Sequence, residues 1–236
     1  MQYHIIGQGK LGRSIAALCS KNGLAYQLWG RQDKYHLEGV VYICVPEDQI
    51  STVAQQIEFG PIVLHSSGSL GLEALHPHQK IGCLHPVQSF VNPTIALPET
   101  RIPATFQGDE TLLKSIQPFI DACGFHIFPY HGSRLSYHTA AVISGNFATI
   151  LFHQAVSLLC EEGMHFDDAC ALLLPLAQQS LENAPKGTLA EVLTGPIARG
   201  QYPLINTQLH NLQQHHPHLA PLYDIMTKIG LNSCNY

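Results

Sequence analysis

Three glycines at G-x-G-x-x-G spacing, Gly7, Gly9 and Gly12, follow the apolar run Tyr3–Ile6 and open an amphipathic stretch, Lys10-Leu-Gly-Arg-Ser-Ile-Ala-Ala-Leu18. A strand, a glycine turn and a helix start in that order turn free backbone N–H groups and the positive end of a helix dipole toward an anion. Gly7 permits the tight turn, Gly9 lets the backbone approach a pyrophosphate, and Gly12 lets the helix pack close to the strand. With Gln8, Lys10 and Leu11 between them, these residues form the pattern of a dinucleotide cradle.

Specificity at the ribose 2′ position is set just after the second strand, where a carboxylate would accept from a free hydroxyl. Here the chain reads Trp29-Gly30-Arg31-Gln32-Asp33. Arg31 suits a 2′-phosphate, so NADP is expected over NAD. Asp33, two residues on, keeps NAD open. Val45 and Pro46, at the end of the third strand, line the same crevice, with Pro46 and Asp48 shaping the turn and capping the next helix. His65-Ser66-Ser67-Gly68 closes the fourth strand; Ser66 and Ser67 reach the nicotinamide ribose or substrate, or form a simple turn.

Hydride transfer also needs a group that gives or takes the accompanying proton. His85, in a proline-flanked segment beside the carboxyl ends of the strands, suits that task near neutrality, with a backbone-bonded loop histidine as the alternative. His138 and Asn146 fall on one helix; on ideal α geometry they stand about 80° apart around the axis and about 12 Å along it. These two and His85 are the catalytic candidates; Tyr137 is a candidate on the same helix, and ordinary helix-packing or capping is the alternative for all three helical residues. Arg199 binds a substrate carboxylate or makes a structural salt bridge. The histidines His76, His78 and His85, and His210, His215, His216 and His218, match no recognised metal-ligand spacing, so no metal is expected and the second group reads as a solvated loop.

The elements that must position these residues alternate. Strands are expected at Tyr3–Ile6, 25–29, 40–45, Ile62–His65, near 104–107, and at Phe125–Pro129. Helices fit at 11–22, 48–57 and 110–123, and 82–103 reads as a long, proline-rich loop. This is a doubly wound Rossmann domain with a mostly parallel sheet, residues 1–130. Residues 131–236 form a smaller all-helical domain with helices at about 134–163, Phe166–Asn183, 189–193 and two more; the first is expected to be long and largely buried.

The chain has 236 residues, 45% of them hydrophobic, with a formal net charge of -5 and only 12% charged residues. No basic face for nucleic acid and no polybasic segment for lipid is present, so a small-molecule partner is expected. The seven cysteines are scattered and read as reduced, mostly buried thiols. The start of the chain shows neither a basic leader nor an apolar core segment, and no apolar stretch near 18 residues is apparent. The expected setting is cytoplasmic, away from membranes.

The glycine loop, His65-Ser-Ser-Gly68, His85-Pro-Val-Gln-Ser-Phe90, Tyr137-His138, Ser144-Gly-Asn146 and Leu193-Thr-Gly-Pro-Ile-Ala-Arg-Gly200 follow in that order. Together they resemble Rossmann-like proteins with a DUF2520 C-terminal domain, a group similar to pyrroline-5-carboxylate reductases and F420-dependent NADP oxidoreductases. The resemblance covers nearly the whole chain. It implies a helical domain that contributes to a homodimer, a position at Asn146 that holds substrate or the nicotinamide amide, and no particular substrate. β-Hydroxyacid dehydrogenases of related architecture carry a catalytic lysine on the first long helix of the second domain. Here no lysine occurs between Lys114 and Lys186.

The leading expectation is an NADP-dependent oxidoreductase for a small carbonyl or imine compound bound between the two domains. The alternatives are a non-catalytic NADP(H)-binding sensor or interaction protein, and hydride exchange with a deazaflavin-type carrier.

Overall fold

The structure, a computed structural model, describes residues 1–32, 34–91 and 101–234. Two units are distinguished, Met1–Ala148 and Thr149–Tyr236.

In the first unit, apolar β-branched and aromatic runs form a seven-stranded sheet: β1 (Tyr3–Ile6), β2 (Gln27–Trp29), β3 (Val40–Ile43), β4 (Ile62–His65), β5 (Ile81–Pro86), β6 (Ile102–Gly108) and β7 (Phe125–Pro129), in the order β2-β1-β3-β4-β5-β6-β7. Strands β1 to β5 pair in parallel, β5 and β6 antiparallel, and β6 and β7 in parallel. β1, β3 and β4 are buried along their whole length, which is the signature of a sheet covered on both faces. Alternation sends Ile5, Tyr42 and Leu64 to one core with Ile15 and Phe119, and Ile6, Val41, Ile43 and Val63 to the other with Ile50 and Tyr35.

Helix α1 (Lys10–Lys21) starts on the glycine loop and α2 (Glu47–Gln56) follows β3. The expected helix over 110–123 is two pieces, α3 (Glu110–Ser115) and α4 (Gln117–Ala122), because Pro118 starts a new helix and cannot continue the old one. The expected loop over 82–103 is corrected at its start by β5. Gly82 and Pro86 weaken the strand pattern there, yet β5 is held by ladders on both sides. Residues 92–100 of that stretch lie outside the described residues.

The helix after β7 runs Arg134–Glu161 as α5 (Arg134–Ala141), a π-helical segment at Val142–Phe147, and α6 (Ala148–Glu161). It is long but not buried: Leu135, Ile143, Phe147 and Ile150 are all more than half exposed. Helical periodicity reports an apolar face, and says nothing of whether the same chain covers it. Among the described residues this is the one helix long and apolar enough to cross a membrane by length and composition, contrary to the sequence reading.

The second unit continues with α7 (Phe166–Asn183), α8 (Leu189–Val192), α9 (Gly195–Ala198), α10 (Tyr202–His215) and α11 (Ala220–Cys234). His210 and His215 are helical, which corrects the loop reading for them; His216 ends α10 and pairs with Glu161 at 3.2 Å, and His218 lies exposed in the turn that follows.

Candidate active site

Gly7 sits at φ +119° with its N–H on Trp29 O, and a Cβ there would lie 2.3 Å from Cys44 O. A Cβ on Gly12 would lie 1.9 Å from Gly7 O, so both glycines are demanded by the protein's own packing. Gly9 is different. Its φ of -73° suits any residue and a Cβ would meet nothing within 4 Å, so the protein's own packing does not call for glycine here and the space over the loop is open to a ligand. Gly9 is also the N-cap of α1, with no side-chain cap and no acid in the first turn, which leaves the helix end open to an anion. These features fit a dinucleotide pyrophosphate.

Two hollows flank this loop. One is a cavity of about 390 Å³ lined by Gly7, Gln8, Arg31, Tyr35, Val45 and Gln49, among others. Arg31 is exposed, and its loop is fixed by Tyr35: the Tyr35 hydroxyl donates to Gly30 O at 2.8 Å and accepts from Gln32 N–H at 3.1 Å. Asp33 lies outside the described residues. The other hollow, of about 250 Å³, is lined by Lys10, Leu11, Ser66, His85, Pro86, Gln88 and Phe90.

Beside the second hollow lies a polar cluster that sequence reasoning caught only in part. Glu47, the first residue of α2, accepts hydrogen bonds from the Ser67 and Ser69 hydroxyls, the latter at 2.7 Å. Burial pushes its carboxyl up, but these bonds outweigh it and hold the group below its ordinary range. Pro46 is the helix N-cap and Asp48 lies in the first turn without capping. The Ser67 hydroxyl also accepts from the N–H groups of Ser69 and Leu70, and Ser66 donates to Ile43 O, so both hydroxyls serve the turn. His65 accepts at Nδ1 from Ser67 N–H and faces Gly71 O through Nε2; burial, with Arg134 nearby, pulls it down to about 4.

Arg134, at the start of α5, reaches into this cluster. It donates to Ser67 O at 2.7 Å, to Cys83 Sγ at 3.0 Å and to Thr105 Oγ1 at 3.3 Å, and its guanidinium lies 4.9 Å from the Tyr137 ring centre. Tyr137 Oη is 2.6 Å from His85 Nδ1 and 3.3 Å from Thr105 Oγ1. His85 and Thr105 are register partners across β5 and β6. Burial pulls His85 down to about 4, helped by Arg134 and His138, so it is neutral at pH 7. Burial pushes Cys83 up to about 12, against the pull of Arg134, which keeps it a thiol.

His138 stacks edge-on to His85 at 6.2 Å between ring centres. Gly68 makes room for both: a Cβ there would lie 2.5 Å from His138 Nδ1 and 3.0 Å from His85 Nε2. His138 Nδ1 and Arg134 Nε are buried without a partner among the described residues. Asn146 is exposed within the π-helical segment, whose wider turn departs from the α-helical spacing that linked it to His138. Arg199, in the second unit, is exposed and donates to Gln201 Oε1 at 3.2 Å; it forms no ion pair among the described residues. Arg134, Thr105, Cys83 and Glu47 were not sequence candidates, and Tyr137 was one with packing or capping as its alternative. Nothing local in the sequence marks them except a cationic residue at the first turn of a helix, where its charge opposes the dipole and needs another reason to be present.

Residues 102–229 match the family described as a domain of unknown function, DUF2520. The chain belongs to the DUF2520 family. No curated protein sequence matches it. Many solved structures share the fold of this DUF2520 protein, among them the following. A presumed NADP oxidoreductase from Bacteroides fragilis is 16% identical, covers 98% of each chain and has a TM-score of 0.79. A reductive aminase from Aspergillus terreus, in complex with NADPH and ethyl levulinate, is 14% identical, with 98% of this chain and 93% of its own covered, at a TM-score of 0.69. The 1-pyrroline-5-carboxylate reductase of Streptococcus pyogenes is 12% identical over 98% of each chain at a TM-score of 0.60. At these identities the likeness is one of fold, a Rossmann-like sheet with a helical region after it.

Proposed function

We propose that this DUF2520 protein is an NADP-dependent oxidoreductase acting on a small carbonyl or imine compound. The observation that carries the reading is the pair of hollows on either side of the glycine loop, one holding Arg31 and the other His85. A dinucleotide has two such ends joined by a pyrophosphate, and the open start of α1 lies between them. Gly7, Gln8, Gly9, Lys10, Leu11 and Gly12 would hold the pyrophosphate, Arg31 the 2′-phosphate, and Val45 the adenosine side of the crevice. When bound, the nicotinamide supplies or removes a hydride. His85, beside Tyr137 and His138, handles the proton at the substrate heteroatom. The NADPH-bound reductive aminase and the pyrroline carboxylate reductase support the substrate class by likeness of fold.

The test is calorimetric titration with NADPH and NADH side by side. Micromolar NADPH binding, weaker for NADH, supports the proposal; binding of neither nucleotide overturns it. A sensor without catalysis is favoured if NADPH binds tightly and no carbonyl or imine compound is reduced.

Two further properties are part of the proposal. The described cysteines are all free, which suits a reducing cytoplasm. In the second unit Leu172, Leu176 and Leu181 on α7 and Ile225 and Ile229 on α11 are more than half exposed, and a second copy of the chain would cover them. Light scattering that finds a monomer at micromolar concentration overturns the homodimer.

A further inference from the structure

We infer that His85 meets the substrate as a neutral Nε2–H donor, its tautomer set by a one-way chain of hydrogen bonds from Arg134 through Thr105 and Tyr137 to Nδ1. This rests on the reading that the hollow at His85 is the reacting end.

Direction enters at Arg134, because a guanidinium has donors and no acceptor. Its N–H bond to Thr105 Oγ1 makes that oxygen an acceptor, and Thr105 gives its own hydrogen to Tyr137 Oη, 3.3 Å away. The Tyr137 hydrogen then has Nδ1 of His85 in front of it at 2.6 Å. An imidazole that accepts at Nδ1 and is neutral carries its hydrogen on Nε2. Nε2 is the atom that approaches Gly68, where the missing side chain keeps space open, and His85 itself lines the hollow with Lys10, Leu11 and Ser66.

The chain is held at both ends. Thr105 is buried and faces His85 across the β5–β6 ladder, while Ser67 O and Cys83 Sγ fix the far side of the guanidinium. The groups facing His85 are Arg134, His138, Glu47, His65 and Tyr137; of these Arg134 and the two histidines disfavour an imidazolium and only Glu47 favours it. His85 is thus a hydrogen-bond donor without a net charge.

As negative charge grows on the oxygen or nitrogen of a substrate being reduced, the Nε2 proton passes to that atom. The Tyr137 proton passes to Nδ1. The imidazole stays neutral with its tautomer exchanged, and the charge rests on a Tyr137 phenolate beside the Thr105 hydroxyl and the Arg134 guanidinium. A substrate oxyanion or amide anion is more basic than a phenolate, so the transfer runs downhill.

The tautomer is read from nitrogen NMR of protein labelled with 15N-histidine, without added nucleotide, with His85→Asn used to assign the His85 pair. The expected result from about pH 6 to 8 is a protonated Nε2 and a bare, hydrogen-bonded Nδ1. Thr105→Val and Tyr137→Phe each lose that preference, and Thr105→Ser restores it, which a merely structural role for Thr105 would not require. A protonated Nδ1 in the parent protein, or a tautomer unmoved by Thr105→Val, overturns the inference. Because no nucleotide is present, this failure is distinct from a failure to bind NADPH.

Discussion

Tyr35 brackets Arg31: one buried phenol hydroxyl bonds the carbonyl before that arginine and the amide after it. The guanidinium lines the cavity and makes no hydrogen bond or ion pair among the described residues, while its backbone is pinned. Removing the guanidinium and loosening the backbone should therefore have different consequences for cofactor choice.

Arg31→Ala is expected to weaken NADPH binding roughly 10- to 100-fold, the range of a hydrogen-bonded charge pair worth about 1.5–3 kcal/mol, and to leave NADH unchanged. Tyr35→Phe loses neutral hydrogen bonds of about 1 kcal/mol and should narrow the NADPH preference by about fivefold, with the fold intact. Titration of both nucleotides against both variants checks this; equal losses for NADPH and NADH in Arg31→Ala would remove the 2′-phosphate assignment.

Gly9→Ala and Gly12→Ala separate ligand from fold. A methyl at Gly9 meets no protein atom, so thermal stability should be kept while NADPH binding is lost. A methyl at Gly12 collides with Gly7 O, and stability should fall by on the order of 1–3 kcal/mol. Melting curves and NADPH titration on the two variants give the contrast.

Gly68→Ala should abolish turnover while NADPH still binds, since the new methyl displaces His138 Nδ1 and His85 Nε2 and none of its nearest contacts belongs to the glycine loop. Retained turnover with any carbonyl or imine substrate would detach these two histidines from the chemistry.

Acid should destabilise the first unit well above the carboxylate range. His65 and His85 are both pulled to about 4 from an ordinary value near 6.5, and His4 is lowered in the same direction by burial. Between those values the unfolded chain binds protons that the folded one refuses, so stability is whole above about pH 6.5 and falls as pH drops toward about 4. His65 alone accounts for on the order of 3 kcal/mol at the acid end, and the more open His85 for less. Urea midpoints at pH 7 and 5 should differ accordingly, and His65→Gln should flatten the difference.

The glycine loop and the strand and helix around it were legible because a backbone constraint repeats at fixed local spacing: Gly7 and Gly12 touch each other and Cys44. Strand β5 was not, since its identity lies in ladders to β4 and to an antiparallel β6, and its own residues include Gly82 and Pro86. His85 and His138 were found as isolated proton carriers. The group that orients them was not, because Arg134, Thr105 and Ser67 meet only through the fold, between 29 and 67 residues apart in sequence. Helical period found the apolar face of Arg134–Glu161 and misjudged its cover, which depends on something beyond the pattern.

The family match begins at residue 102, the first residue of β6, yet β6 is laddered to β5 from Ala104 to Gly108. The border drawn by sequence likeness therefore cuts through a β-ladder. A polypeptide started at that border would carry β6 with one side unzipped and Thr105 stripped of its partner. The shorter piece, ending before it, would present β5 as a raw edge. Both halves would invite strand-to-strand clumping, so the folding unit of this chain is wider than the stretch by which its family is recognised.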